Sequence, residues 1–422
     1  MIAKTKLKKM LSASTESKKS MFRLSSLMAI LLSTTSVNTQ AVDIGGLEVS
    51  GYTRGGVFFN DKGTPRGGYT LGGDMQKYRL GNEGDNGFEI EMRKTFDLGD
   101  GVKWSMDFMP TVWNGTTGTQ QGYAEMTGLD FVPSAKFWAG QRRLRIQDVH
   151  IVDHFFMDYG LNFGAGMTDL DLGVAKLGVG MFNGGSFDNK NSLANNARRL
   201  NIDLSQIKTN NGGVVRILGS VINGDFVDGS PGSSIGISHN QSNFMVTNLT
   251  NTFFAQTANG HAAMNGQFKG LGTVVAADGS TTGDVATTST RFGDSINWQS
   301  GPFGGQAVVA LQNDKAEKTG INTKDFTLGG RISYAFSRNF KMLAEVGTTT
   351  RDVDNQSQQV LNKVTIAPTL AVGSDFWSRP ELRFYVTHAT WNDAAAAANV
   401  TSFGANGKTS ATTAGVQMEV WW

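Results

Sequence analysis

The sequence predicts an all-β fold, a transmembrane antiparallel β-barrel. Three observations predict it. Alternating strands recur along the chain, no apolar run of transmembrane-helix length follows residue 41, and the final segment is itself a strand with one apolar face. In that segment, G-V-Q-M-E-V-W-W, Val416, Met418, Val420 and Trp422 share one face. Gly415, Gln417, Glu419 and Trp421 share the other, because strand side chains alternate with period two. An apolar face toward lipid and a polar face toward a lumen suit a closing barrel strand.

Composition agrees. The chain has 422 residues, 53 glycines, 7 prolines and no cysteine, with 18% charged and 39% hydrophobic residues. That is too polar for a helical membrane protein and too glycine-rich for a typical α/β enzyme. The lack of cysteine excludes disulfides and thiolate metal sites.

Residues 1–41 read as a signal peptide. Lys4, Lys6, Lys8, Lys9, Lys18, Lys19 and Arg23 precede an apolar run at residues 24–32, and Thr39-Gln40-Ala41 offers a small-residue cleavage site. Met21 is an alternative start that leaves ordinary signal-peptide proportions. The segment carries +6 of a whole-chain charge of +2, so the part at 42–422 is about −4. Its charge gives no reason to expect a nucleic-acid partner.

Residues 42–422 then form one barrel domain. The first strand holds Tyr52 and Arg54 on one side. In residues 88–96, Phe88, Ile90 and Met92 oppose Glu89, Glu91 and Arg93; next, Trp104, Met106 and Phe108 alternate with Lys103, Ser105 and Asp107. Further on, Phe326, Leu328, Ile332, Tyr334 and Phe336 share a face, and a turn at Ser337-Arg338-Asn339 leads into the strand at 340–346. Val364, Ile366, Leu370 and Val372 make another face, on which Pro368 removes a ladder donor. Residues 257–291 and 392–413 read as extracellular loops; the alanine run at 394–398 is one or two helical turns without a strong cap. Sixteen or eighteen strands fit the length. A soluble sandwich would show the same alternation, but the export signal and the terminal tryptophans favour the outer membrane.

Residues 141–158 are the most charged stretch and, without sustained alternation, read as a long loop after a strand at 136–139. The loop is either solvated or folded into a lumen as a polar constriction. His150 and His154, four apart beside Asp148 and Asp153, have helical metal spacing, but Ile151 stands where H-E-x-x-H needs its glutamate, so no metal is expected. No Walker-type loop and no nucleophilic cysteine is present, so neither an enzyme nor a cofactor is expected. Aromatics beside charged groups, at Tyr52, Trp377 and Trp421, suit sugars, which have apolar C–H faces and polar rims. Girdle aromatics are the competing reading for Trp422 and Trp104.

Several blocks carry a resemblance. They are Val42-Asp43, Gly51-Tyr52-x-Arg54, K-Y-R-L-G-N-E at 77–83 and Trp138-Ala139-Gly140. They continue with Asp148-Val149-His150, Asp153, W-S-R-P at 377–380, Gln417-Met418-Glu419 and Trp421-Trp422. In this order the chain resembles the maltoporins, sugar-specific porins of Gram-negative outer membranes. The resemblance implies an 18-stranded barrel, a homotrimer in outer-membrane lipid and an inward-folded third loop. It implies an aromatic slide for oligosaccharides of the maltodextrin class at Tyr52, Trp377 and Trp421, with Trp113 as the tryptophan lent by a neighbouring subunit. Arg54, Arg79, Glu89, Asp148, His150 and Asp153 would line the constriction. The chain departs from the pattern at Gly87, where a slide tyrosine is missing, at Phe155, which lacks a hydroxyl, and at Ile146, where an arginine is missing beside Arg145. The expectation is facilitated diffusion of maltose and maltodextrins or related sugars. The alternative is a general, weakly selective porin on the same scaffold.

Overall fold

A computed structural model of the protein describes residues 41–60, 68–73, 75, 77–188, 196–226, 230–263, 268 and 287–422. The signal-peptide reading therefore lies, but for Ala41, outside the described residues. The strands are β1 (Val42–Ile44), β2 (Leu47–Asn60), β3 (Gly87–Asp97), β4 (Lys103–Trp113), β5 (Thr116–Thr127), β6 (Lys136–Val149) and β7 (His154–Asp171). They continue as β8 (Lys176–Asn183), β9 (Arg198–Asn210), β10 (Gly213–Asn223), β11 (Gly232–Gln241), β12 (Leu249–Ala258) and β13 (Thr287–Ser300). The last six are β14 (Phe303–Ala316), β15 (Asn322–Ser337), β16 (Phe340–Val353), β17 (Gln359–Ala371), β18 (Glu381–Trp391) and β19 (Ser410–Trp421).

From β2 onward each strand pairs antiparallel with the next, and β19 pairs with β2, closing an 18-stranded barrel. The short β1 pairs only with the start of β2, from Val42 opposite Val49 to Ile44 opposite Leu47. Trp422 and Gly51 exchange backbone bonds of 3.2 Å just beyond it. The segment at 42–44 and the end of β19 thus cover successive stretches of one edge of β2, so no long edge is left to template aggregation.

The two ends of the barrel differ. One carries mostly short turns, such as 211–212, 301–302 and 338–339; the other carries the long connections 61–86, 259–286 and 392–409. In outer-membrane barrels the short turns are periplasmic. One connection at the long-loop end is itself tight: Asn114 and Gly115, both with positive φ (51° and 85°), join β4 to β5. Two such residues are what a type I′ hairpin turn requires.

The wall is inverted relative to a soluble protein. Along β16, Lys341, Glu345 and Thr349 are buried, whereas Val346 on the opposite parity is exposed. Leu328, Ile332, Tyr334, Phe336, Val364, Ile366, Leu370 and Val372 all face outward, as their alternation predicts. The β17–β18 register skips Ala367 and Pro368, the local ladder loss expected of the proline.

Two of the described segments fold into the interior and build the site. The first is the end of the β2–β3 connection. The Tyr78 ring lies where side chains at Gly329 and Gly347 would project, and Leu80 packs with Leu343, Ala367 and Tyr385. Its backbone is held at both polarities: Leu80 N–H donates to Glu345 Oε1 (2.9 Å), while Lys363 Nζ (2.7 Å) and Thr365 Oγ1 (3.0 Å) donate to Leu80 O. Thr387 Oγ1 donates to Gly81 O (3.1 Å).

The second is the tip of the β6–β7 hairpin. Residues 141–158 are not a free loop, as expected from their missing alternation. They are strand up to Val149, a 3-10 turn at His150–Val152, and strand again from His154. Alternation fails because the hairpin leaves the wall. Ile151 N–H reaches Gln306 Oε1 of β14 (3.1 Å), and Arg291 of β13 donates to Phe156 O (3.0 Å). This is the inward-folded third connection. Two loop boundaries also shift: residues 287–291 belong to β13 and residues 410–413 to β19. The alanine run forms α1 (Asp393–Ala398), followed by α2 (Val400–Phe403), and it does have a cap, since Asn392 Oδ1 accepts from Ala395 N–H (3.0 Å).

Candidate functional site

Inside the closed wall, aromatic rings form a row. Trp421 sits opposite Tyr52 across the β19–β2 ladder, and their rings are near-parallel (16°) with centroids 6.5 Å apart. On the other side of Tyr52 lies Trp113, 6.2 Å away and tilted by 29°. His150 meets Trp421 and Trp377 edge-on, each at 5.4 Å. Parity explains Tyr52, Trp113 and Trp421, all of which point inward; Trp377 comes from the turn between β17 and β18. Trp422, of opposite parity, lies outside over Gly51.

Trp113 stacks on Tyr52 of its own chain. Gly87 makes this possible. It pairs with Trp113 across the β3–β4 ladder, and a Cβ at residue 87 would lie 2.6 Å from the indole. The space a slide tyrosine would take at 87 is thus occupied by the Trp113 ring.

Beside the row, three segments meet in a charge cluster. Arg54 of β2 grips Asp85 with two bonds (3.0 and 2.6 Å) and also reaches Glu83 (2.6 Å) and Asp153 (3.5 Å). Arg79 contacts Glu83 (3.0 Å), Glu419 (2.8 Å), the Tyr52 hydroxyl (2.5 Å) and His150 Nδ1 (3.0 Å). Lys77 bonds Asp153 at 3.0 Å. Lys77, Arg79, Glu83 and Asp85 come from the first connection, His150 and Asp153 from the hairpin tip, Arg54 and Glu419 from the wall. With 7% and 3% exposure, Arg54 and Arg79 have their donors committed, mostly to carboxylates and, for Arg79, also to the Tyr52 hydroxyl and His150. The groups of this cluster that still meet water are Lys77, Asp85 and Asp153.

The electrostatics lock these states. Burial alone would raise the Asp153 carboxyl, but Arg79, Lys77 and Arg54 hold it far below the usual range. Burial likewise opposes charge on Lys77, and Glu83 with Asp153 overcome it, leaving its pKa raised. His150 is pushed well below its ordinary value by burial and then by Arg79. The geometry agrees: a guanidinium only donates, so His150 Nδ1 accepts and the neutral ring carries its proton on Nε2, 3.7 Å from Glu419.

The other expected site residues lie around this cluster: Glu89 is the register partner of Tyr52, and Asp148 feels the charges of Arg79, Asp153 and Glu419. Glu89 pairs with Arg143 across the lumen-facing side of β3 and β6 (3.1 Å). Asp148 and Phe155 are register partners on the hairpin, with Asp148 exposed and the Arg145 guanidinium over the Phe155 ring at 5.2 Å. Ile146 packs with Met157 and Leu218 against the wall, so no charge is called for there.

Glu83, Asp85 and Glu419 were not singled out as site residues by sequence, nor was Arg379, which lies over Trp421 at 4.0 Å and bonds Glu419 at 2.9 Å. Inward parity marks Glu419, the 77–83 block marks Glu83 and the W-S-R-P block at 377–380 marks Arg379; Asp85 has no comparable signal. Among the described residues no group of three or more His, Cys, Asp or Glu side chains could hold a metal. The G-S-S-I-G pentapeptide at 232–236 has nucleophile-elbow spacing but runs straight along β11, with Ser234 Oγ bonded to Ser220 Oγ (2.5 Å).

A family model described as LamB porin matches residues 47–422. Among solved structures, OccK5 (OpdH) of Pseudomonas aeruginosa matches with a TM-score of 0.50 at 10% identity, covering 90% of this chain and 98% of that one. An anion-selective porin from Comamonas acidovorans matches at 0.48 and 12% identity, covering 89% and 99%. OmpT, an outer membrane protein of Vibrio cholerae, matches at 0.46 and 10% identity, covering 91% and 100%. The first supports the barrel fold; at such identities none speaks to a ligand.

Proposed function

The chain belongs to the LamB porin family, an outer-membrane β-barrel channel, and on that premise we propose that it passes sugars, maltose and maltodextrins or related oligosaccharides, by facilitated diffusion. One observation carries this reading: Trp113, Tyr52 and Trp421 present near-parallel rings in a row. A sugar chain can slide along such a row because each pyranose offers an apolar face to the next ring. Passage needs weak sites in series, each at about millimolar strength or about −4 kcal/mol. Lys77 donates to hydroxyls at the constriction while Asp85 and Asp153 accept. Arg54 and Arg79 act mainly as the scaffold that fixes those carboxylates and the Tyr52 ring. Glu89, Asp148 and Phe155 line the approaches. The functional unit is a homotrimer, each subunit with its own Trp113.

Conductance in planar bilayers tests the proposal. Maltooligosaccharides should block ion current, and Trp421→Ala should weaken the block about tenfold, because stacking one pyranose on the indole removes about 50 Å² of apolar surface or more from water, worth about 1–2 kcal/mol. Current unaffected at high sugar would sink the specificity.

A second reading is a general porin. The packing of Ile146 into the wall and the commitment of Arg54 and Arg79 to carboxylates favour it. Equal permeation by sugars and amino acids of similar size would support it over the first.

A further inference from the structure

The Trp421 ring stands where the wall runs out. β19 keeps Tyr52 of β2 beside it on one flank. On the other flank β18 begins only at Glu381, which pairs with Glu419, so no strand reaches the level of residue 421 there. An indole on a final ladder rung with one open flank is free to change rotamer. Here the flank is filled by the turn at 372–380, between β17 and β18.

Arg379 is the residue of that turn stacked on the ring. Its guanidinium carbon lies 4.0 Å from the centre of the indole. The other cations of the row are looser: Arg54 is 5.0 Å from Trp113 and 5.9 Å from Tyr52, and Arg79 is 5.9 Å from Tyr52. A guanidinium stacks on an aromatic face as a plane, which an ammonium cannot do. Arg379 is itself fixed. Its Nε donates to Glu419 (2.9 Å), and its Nη1 donates to the carbonyls of Phe376 and Ser378 (3.0 Å each) and faces Glu381 at 3.2 Å. The side chain is 1% exposed, so it is no group for a passing solute to bind. The turn that carries it is pinned to the wall in turn. Lys341 Nζ donates to Asp375 O (2.7 Å), and Phe376 N–H donates to Gln299 Oε1 (2.9 Å).

We propose that Arg379 is a positioning residue for the aromatic row. Its guanidinium seats one face of the Trp421 indole, which keeps the ring within 16° of Tyr52 and leaves the other face for a pyranose. The seat itself needs no sugar; only its consequence for transport rests on the sugar-channel reading of the preceding section.

Fluorine NMR of the full-length protein in detergent, labelled with 5-fluorotryptophan, reads the ring directly. The Trp421 line is assigned by its absence from Trp421→Phe. Arg379→Lys keeps a cation beside Glu419 but loses the planar stack, and it should shift and broaden that line while the lines of Trp104 and Trp138, on β4 and β6, stay in place. Arg383 remains to pair Glu381 and Glu419 in this variant. In planar bilayers Arg379→Lys should weaken maltooligosaccharide block about two- to fivefold, the loss expected for one cation–π contact. In a Trp421→Ala background it should weaken block no further, because the ring it positions is gone. An unmoved Trp421 line overturns the proposal. So does an equal loss of block in the two backgrounds, which is what general loosening of the turn would give. If Arg379→Lys fails to fold, judged by heat-modifiable gel mobility, Arg379→Gln is read by the same line with the same outcomes. A shifted line together with a parent channel that maltooligosaccharides do not block would keep Arg379 in its role and remove the sugar channel. Normal block of the parent with an unmoved line would do the reverse.

Discussion

Glu345→Ala should unlock the first connection from the barrel wall. Glu345 is fully buried and accepts from Leu80 N–H, from Arg331 (2.7 Å) and from Lys363 (2.8 Å). Truncating it leaves two buried cations without their shared anion. Removing one partner of a buried ion pair costs about 3–5 kcal/mol. The wall cannot relieve this, because β15, β16 and β17 stay bonded along their length. Release of the segment at 78–81 can, since water then reaches Arg331 and Lys363. A shift of even 3 kcal/mol changes the docked-to-undocked ratio more than about a hundredfold. Single-channel recordings should therefore show a second, larger conductance level that the parent protein lacks. Glu345→Gln, which keeps an acceptor for Leu80 N–H but loses the charge, should show it less often. One conductance level, equal to the parent's in both folded variants, would refute the idea that this carboxylate holds the connection in place.

Two further outcomes follow from the row and the hairpin tip. Trp113→Ala should weaken sugar block by about 0.5–1.5 kcal/mol, roughly two- to tenfold, through loss of one stacking partner; an unaltered block constant would take Trp113 out of the row. Acid should loosen the tip through His150. Its pKa is depressed in the fold and near 6.5 when unfolded, so below about 6.5 the unfolded chain takes up a proton the native state refuses, at 1.36 kcal/mol per pH unit. Between pH 6.5 and 5 that is about 2 kcal/mol of lost stability. Asp153 adds nothing in this window. Its depressed pKa gives stability that is complete above about 3.9 and lost only as pH falls toward the still lower native value. Thermal unfolding at pH 8 and pH 5 should show the larger drop in the parent and a smaller one in His150→Gln; equal drops would remove His150 from the account.

The wall was legible because a barrel strand has one rule, alternation, and lipid enforces it at Leu328, Val346 or Ile366. The same rule placed Tyr52, Trp421 and Glu89 inside. It failed at residues 141–158, where the hairpin leaves the wall and its faces meet other chain segments rather than lipid and water. It could not show that Arg54 and Arg79 would be consumed by Glu83, Asp85 and Glu419, because those partners converge from the first connection and the last strand. Nor could it show that Gly87 is a space for Trp113. A missing side chain reads as a loss in sequence and as a neighbour's seat in three dimensions.

The β2–β19 seam joins strands more than 300 residues apart, as the Tyr52–Glu419 bond spanning 367 positions illustrates. Pairings this distant in sequence are intrinsically slow to form. The Tyr52–Glu419 bond crosses that seam, and Arg79 ties the first connection to the same carboxylate, so the charge cluster also works as a clasp on the finished cylinder. A barrel caught half-closed has neither its final ladder nor the charge cluster built across it.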